Sequence, residues 1–261
     1  LSYLFPFSHE FYRKFGYEQA SVQVVSTLDT EQLGEYRCEM HVKMLSGEEC
    51  LPEIKGLHER YIAGLNLSVY RRADQWESHS GDPIIDKRYR YLFLDENGEA
   101  HAYLRFRPDE SAGNHERVMK IDELEYDSPE ALRHVLGFCY RLRAQYKRLS
   151  VVLPEEVSIR AMIPEPYRCS VEIRSGAAAR IVNAKLALEL MRYPVESGSF
   201  TAAVSDNFMK QNTGNYAVSF GGGNVSVSVL PYSPEKADAA MDISTFTQLT
   251  IGFLGYETAL Y

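Results

Sequence analysis

At 261 residues, with 45% hydrophobic and 25% charged side chains, the chain has a globular composition and enough length for about two domains. No apolar run approaches the roughly 18 residues of a membrane-spanning helix, so a spanning protein is not expected. With 28 Lys and Arg against 36 Asp and Glu, a net charge of −8 and no basic block longer than two, binding to nucleic acid by phosphate neutralisation is not expected.

The first apolar run, LSYLFPF, predicts a strand. Ser8 follows as a helix N-cap, with Glu10 in the first turn, Phe11, Tyr12 and Phe15 on one face, and Gly16 as the stop. SVQVVSTL alternates as a second strand. Some 30 residues of this kind bury too little surface to stand alone and are expected to complete a larger sheet. The chain opens without Met or a basic segment, and STFTQLTIGFLGYETALY closes it as a helix-like pattern with no stop. The sequence therefore reads as an internal piece of a longer protein.

The middle of the chain predicts a helix, a hairpin, a strand, a helix and a strand. Pro52 suits a first helical turn, and Ile54, Leu57, Tyr61, Ile62 and Leu65 follow at helical spacing. YRYLFLD and AHAYLRFR flank Asn97-Gly98, a hairpin signal in which both central positions accept positive φ. RVMKIDELEY is the next strand. Ser128-Pro129-Glu130 then caps a helix presenting Ala131, Leu132, Val135, Leu136, Cys139 and Leu142, and RLSVVLP is a further strand. Trp76 lies in a polar connector with Arg71 and Arg72; it either lines a cleft between domains or pins its loop, and the second reading is favoured.

Charge density drops near residues 165–178, with 50 charged side chains before residue 171 and 14 from there on. A domain border is predicted there. Beyond it come ARIV, a helix from Asn183 to about Arg192, and the strands SFTAAVS, NYAVSF and NVSVSVL, the last two joined by Gly221–Gly223. Alternation in NVSVSVL places Val225, Val227 and Val229 on one dry face, with a helix from about Ser244 predicted to cover it through Phe246, Leu249, Phe253 and Leu254.

Cys38, Cys50, Cys139 and Cys169 show no CxxC, so neither a zinc site nor a disulfide framework is expected, and a reducing cytoplasmic setting fits. His9, His41, His58, His79, His101, His115 and His134 are scattered and are expected to be solvated or singly hydrogen-bonded. No metal is expected.

The order from hairpin to final strand resembles the core of the GNAT (Gcn5-related N-acetyltransferase) fold. In that fold the cofactor pyrophosphate sits on backbone N–H groups at the N-terminus of the helix after the third of these strands. Here that position reads Asp127-Ser128-Pro129-Glu130, with two carboxylates and a missing donor, so this domain is expected to be a degenerate copy without a cofactor site. LFPFSHEFYRKFGYE in turn resembles the last core strand and following helix of an acetyltransferase domain, through Phe11, Tyr12, Lys14, Gly16 and Tyr17. With ARIVNAKLALELMRYP, SFTAAVSDNFMKQNTGNYAVSF and MDISTFTQLTIGF, the chain is similar to the Eis (enhanced intracellular survival) acetyltransferases.

The resemblance implies an α+β chain: a GNAT-like mixed α/β domain followed by a domain like sterol carrier protein 2 (SCP2-like). The expected division is 1–42, the closing part of the catalytic GNAT domain and a linker; 43–172, a second, degenerate GNAT-like domain; and 173–261, an SCP2-like domain. It also implies direct transfer of an acetyl group from acetyl-CoA to a small-molecule primary amine, aminoglycoside- or polyamine-like, or to lysine. Tyr12 would be the general acid, with Ser8 and Phe11 near the pantetheine or thioester, and the cytoplasmic protein would be a homo-oligomer, a hexamer. The family's pyrophosphate loop would precede Leu1, and Tyr261 is not equated with the family's C-terminal carboxylate. The alternatives are an SCP2-like module for a lipid or other small molecule, or a non-catalytic scaffold.

Overall fold

The computed structural model describes residues 1–47, 51–65, 68–76, 79, 81–109, 117–255 and 257–260. Cys50 and His115 lie outside them. In chain order the elements begin with β1 (Ser2–Leu4), α1 (His9–Arg13), β2 (Glu18–Gln19), β3 (Val22–Asp29) and β4 (His41–Met44). Next are α2 (Leu51–Ile62), α3 (Ala73–Trp76), α4 (Pro83–Asp86), β5 (Tyr89–Leu94), β6 (Ala100–Asp109), β7 (Val118–Tyr126), α5 (Pro129–Arg141) and β8 (Arg148–Leu153). The last are β9 (Cys169–Ser175), β10 (Ala178–Arg180), α6 (Ala184–Leu190), β11 (Gly198–Ser205), β12 (Gly214–Gly221), β13 (Asn224–Leu230), β14 (Ala239–Asp242) and α7 (Ile243–Thr250).

These elements form two compact units, Gln23–Arg174 and Leu1–Val22 with Ser175–Tyr261. The chain leaves the Gln23–Arg174 unit at 174/175. It enters that unit at 22/23, because β3 pairs antiparallel with β8 from Val24↔Leu153 to Asp29↔Arg148 and joins the middle sheet. Gly137 in α5 reinforces this: a Cβ there would come within 2.7 Å of the Cys38 backbone nitrogen, so the helix lies directly against residues 37–38.

The Gln23–Arg174 unit is built on a sheet ordered β4-β5-β6-β7-β8-β3-β9. Strands β7 and β8 run parallel but pair only from Val118↔Arg148 to Lys120↔Ser150, although each continues for at least three residues further. Helix α5 joins them, its N-terminus closed by Ser128 Oγ accepting from Ala131 N at 3.1 Å. Its predicted apolar face is buried at Ala131, Leu132, Val135, Leu136 and Cys139, against Leu104, Phe106, Met119 and Ile121 of the sheet. On the opposite face, α2 covers Leu92 and Tyr103 with Ile54 and Leu57.

The hairpin forms, but not through a two-residue turn. Asp95 Oδ1 accepts from the N–H of Asn97 at 2.9 Å and of Glu99 at 2.7 Å, so only Gly98, at φ +83°, enters the left-handed region. The Asp95 carboxylate replaces the second strained residue.

In the other unit, β10 lies between β1 and β2, and a second sheet runs β13-β12-β11-β14. Strand β1 is shorter than the sequence predicts, with Phe5 and Phe7 exposed. Strand β14, parallel to β11, gives no clear sequence signal in its four residues. The predicted dry face of β13 is buried at Val227 but exposed at Val229, because the strand lies at the sheet edge. Helix α7 buries Phe246 and stops before Phe253; Gly252, at φ +76°, ends the turn. Among the described residues no helix is long and apolar enough to cross a membrane.

Candidate functional site

Helix α1 is a single capped turn. Ser8 Oγ accepts from Phe11 N at 3.2 Å, as its N-cap position predicts. The Tyr12 ring is half-buried between Phe7, Phe11 and Tyr17, with centroids 5.4, 5.2 and 5.8 Å away. Phe11 is 42% exposed and packs edge-on against Phe15. The three predicted site residues therefore share one helical turn. Of the tyrosines in this stretch, Tyr17 bonds Ser2 Oγ at 2.6 Å and Tyr3 bonds Ser21 Oγ at 3.2 Å, whereas the Tyr12 hydroxyl has no hydrogen-bond partner among the described residues. A phenol so placed can donate to a group brought against it.

The N-terminus of α5 offers the opposite chemistry. Ser128 takes one of its amide donors, Pro129 has none, and Glu130 sits in the first turn. The Asp127 carboxylate accepts from His101 Nδ1 at 2.9 Å and lies 3.7 Å from Arg60. These residues do not fit a CoA pyrophosphate, since carboxylates occupy the place where an anion would need uncommitted donors.

A buried charge cluster, missed in the sequence, lies on the α2 side of the same sheet. His58 Nδ1 meets Glu125 Oε1 at 2.7 Å, and His79 Nε2 meets Glu123 Oε2 at 2.9 Å. The Arg71 guanidinium bonds Glu123 and lies 3.3 Å from Glu125, while Arg105 is 3.3 Å from Glu123. Trp76 closes the cluster: its ring lies 5.3 Å from His58 and 5.2 Å from His79, with the Arg71 guanidinium 4.8 Å over it. Trp76 thus packs its own connector, and His58 and His79 are neither solvated nor singly bonded. Burial raises the Glu123 carboxyl, but His79, Arg105 and Arg71 outweigh it and hold it at about 2. Glu125 is pushed the other way, by burial and by Glu123. With Glu125, His58 and His79 each under a tenth exposed, this enclosed network belongs to the stability of the unit.

The described cysteines, Cys38, Cys139 and Cys169, are free and buried. Among the described residues no group of three or more His, Cys, Asp or Glu could hold a metal ion. The Leu1–Val22 and Ser175–Tyr261 unit contains a mainly apolar cavity of about 360 Å³ lined by Leu188, Met191, Phe200, Met241, Phe246 and Leu249, with Asp238 also in its lining.

Residues 67–181 match the acetyltransferase (GNAT) domain family, and residues 184–260 match the sterol carrier protein domain family. A stretch that matches the GNAT acetyltransferase family is thus followed in this chain by one that matches the sterol carrier protein family. Eis1 from Mycobacterium abscessus shares the fold at 18% identity and a TM-score of 0.73, over 98% of this chain and 64% of its own. A probable N-acyltransferase from Enterococcus faecalis superposes with a TM-score of 0.83 at 24% identity, over 98% of this chain and 64% of that one. A GCN5-related N-acetyltransferase from Anabaena variabilis gives 0.82 at 20% identity, over 99% and 65%. The chain thus spans just under two thirds of the length of these proteins. No curated protein sequence matches it.

Proposed function

We propose that the chain is part of an acetyl-CoA-dependent N-acetyltransferase for primary amines of the aminoglycoside or polyamine type, or for lysine. The Tyr12 hydroxyl, without a partner among the described residues and on a turn shared with Ser8 and Phe11, carries this reading together with the order of the GNAT and sterol-carrier matches. Acetyl-CoA would supply an activated acyl group. Tyr12 would donate its proton to the departing thiolate as the C–S bond breaks and the C–N bond forms, and the amine nitrogen would lose a proton to solvent. Ser8 shapes the turn by capping it, and the exposed Phe11 ring offers an apolar wall to the thioester. The α5 terminus takes no part. A net charge of −8 agrees with a cationic acceptor, and a cytoplasmic homohexamer is the assembly that belongs to this reading. The intact protein is expected to release free thiol from acetyl-CoA in the presence of an aminoglycoside or spermidine; no release with any amine would overturn the reading.

The apolar cavity favours one second reading, an apolar small-molecule carrier. On that reading the intact protein takes up a fluorescent fatty acid saturably, and Leu249→Trp, which fills the cavity, abolishes uptake. Unchanged uptake by the variant would place the ligand elsewhere.

A further inference from the structure

We propose that Arg180 is a positioning residue that fixes the helical turn carrying Tyr12. Its effect on turnover rests on the acetyltransferase reading, whereas its effect on the turn does not. Strand β10 is hydrogen-bonded on one side to β1, at Tyr3↔Ala179, and on the other to β2, at Ala179↔Glu18, so it joins the two strands that flank α1. Arg180 ends β10 with its side chain 2% exposed. One guanidinium nitrogen donates to the Phe15 carbonyl, just past the end of α1, where a helix leaves carbonyls without partners. The other donates to Asp206 Oδ2 at 2.5 Å.

Asp206 is itself held. Its Oδ1 accepts from the backbone of Phe208 at 3.0 Å and Met209 at 2.8 Å, and its Oδ2 accepts from Asn212 Nδ2 at 2.9 Å. Burial alone would raise this carboxyl, but Arg180, Asn212 and the two amides hold it below the usual carboxylate range. The Phe208 ring lies 5.5 Å from the guanidinium and meets Phe15 at 5.2 Å.

The same geometry explains Gly16. At φ +78° it occupies the left-handed region, and a Cβ there would overlap the Arg180 guanidinium. The path to Tyr12 is one residue long, because the Phe15 N–H donates to the Tyr12 carbonyl at 2.9 Å while the Phe15 carbonyl is held by Arg180. Only a planar fork reaches two acceptors on separate elements at once; a lysine ammonium in its place serves one of them.

Arg180→Lys in the intact protein tests this. The expected result is a fall in kcat of about tenfold with KM for acetyl-CoA within about twofold, because a displaced acid loses rate rather than binding. In a Tyr12→Phe background the same change should cost less than about twofold, since two residues acting through one group are not additive. Amide exchange at Phe15–Tyr17 should accelerate at least about tenfold while β11–β13 stay protected. Equal losses in both backgrounds, or unchanged exchange at Phe15–Tyr17, would overturn the proposal. Absence of turnover in the wild type would overturn only the acetyltransferase reading, and exchange would then decide the role of Arg180. If Arg180→Lys loses protection throughout β11–β13, Asp206→Asn takes its place under the same criteria, since it keeps the acceptor for Phe208 and Met209 but removes the charge facing Arg180.

Discussion

Exchanging Tyr12 for Phe is expected to lower kcat about a hundredfold, with KM for acetyl-CoA and for the amine changed by less than about threefold. The substitution removes one oxygen and leaves the ring, so the contacts with Phe7, Phe11 and Tyr17 persist and the turn stays packed. What is lost is the proton for the departing thiolate, which under the proposed mechanism acts in the transition state and not in binding. Tyr17→Phe is the control. Its hydroxyl is committed to Ser2, so that variant should lose about 1 kcal/mol of stability and keep its rate. Full turnover by Tyr12→Phe, measured by thiol release, would remove Tyr12 from the mechanism.

Glu123→Gln is expected to destabilise the Gln23–Arg174 unit by about 3 kcal/mol at neutral pH, because it takes the charged acceptor from the buried His79 and from the half-buried Arg105 and leaves Arg71 with Glu125 alone. Trp76 is the chain's single tryptophan and stands in contact with the cluster, so its fluorescence in a urea titration reports this unit directly. The pH dependence has a definite sign. Glu123 titrates at about 2 in the folded protein against an ordinary 4.5, so its stabilisation is full above about pH 4.5 and disappears as pH falls towards 2. The gap between wild type and variant should therefore close over that window. Glu125, raised by burial and by Glu123, has the opposite sign: its ionisation costs stability as pH rises through and above the ordinary glutamate range. Glu125→Gln should accordingly be the milder variant. A Glu123→Gln loss below about 1 kcal/mol, or one independent of pH between 2 and 4.5, would contradict the ion-pair account.

The legible parts of the fold were those governed by local rules. Ser8 and Ser128 cap the helices the sequence assigns to them, each oxygen bonded to the third amide onward. The apolar face of α5 and the hairpin around Gly98 are also where spacing puts them. The turn of residues 8–17 was visible as a string, but the reason for its glycine was not, because the guanidinium that fills the space at Gly16 comes from residue 180. The hydroxyl partners that separate Tyr12 from Tyr3 and Tyr17 were equally invisible.

The charge cluster shows the limit most directly. Simple alternation in Ile121-Asp122-Glu123-Leu124-Glu125 would put Ile121, Glu123 and Glu125 on one face. In the structure Arg105 opposes Glu123 while Phe106 opposes Ile121, so Asp122 is an extra residue in β7. Ile121 therefore faces the core beneath α5, while Glu123 and Glu125 meet His58, His79 and Arg71 on the other side. The sequence by itself determined the longer helices, most strands and the order of two domain types, and proposed Tyr12 as the acid, since caps, periodicity and motif strings act over a few residues. Only the tertiary structure decided which strand joined which unit, which sheet face each acidic residue took, and which hydroxyls of Tyr3, Tyr12 and Tyr17 found partners among the described residues. Those outcomes depend on partners far away in sequence, as between Asp29 and Arg148 or between His58 and Glu125, and no local pattern encodes them.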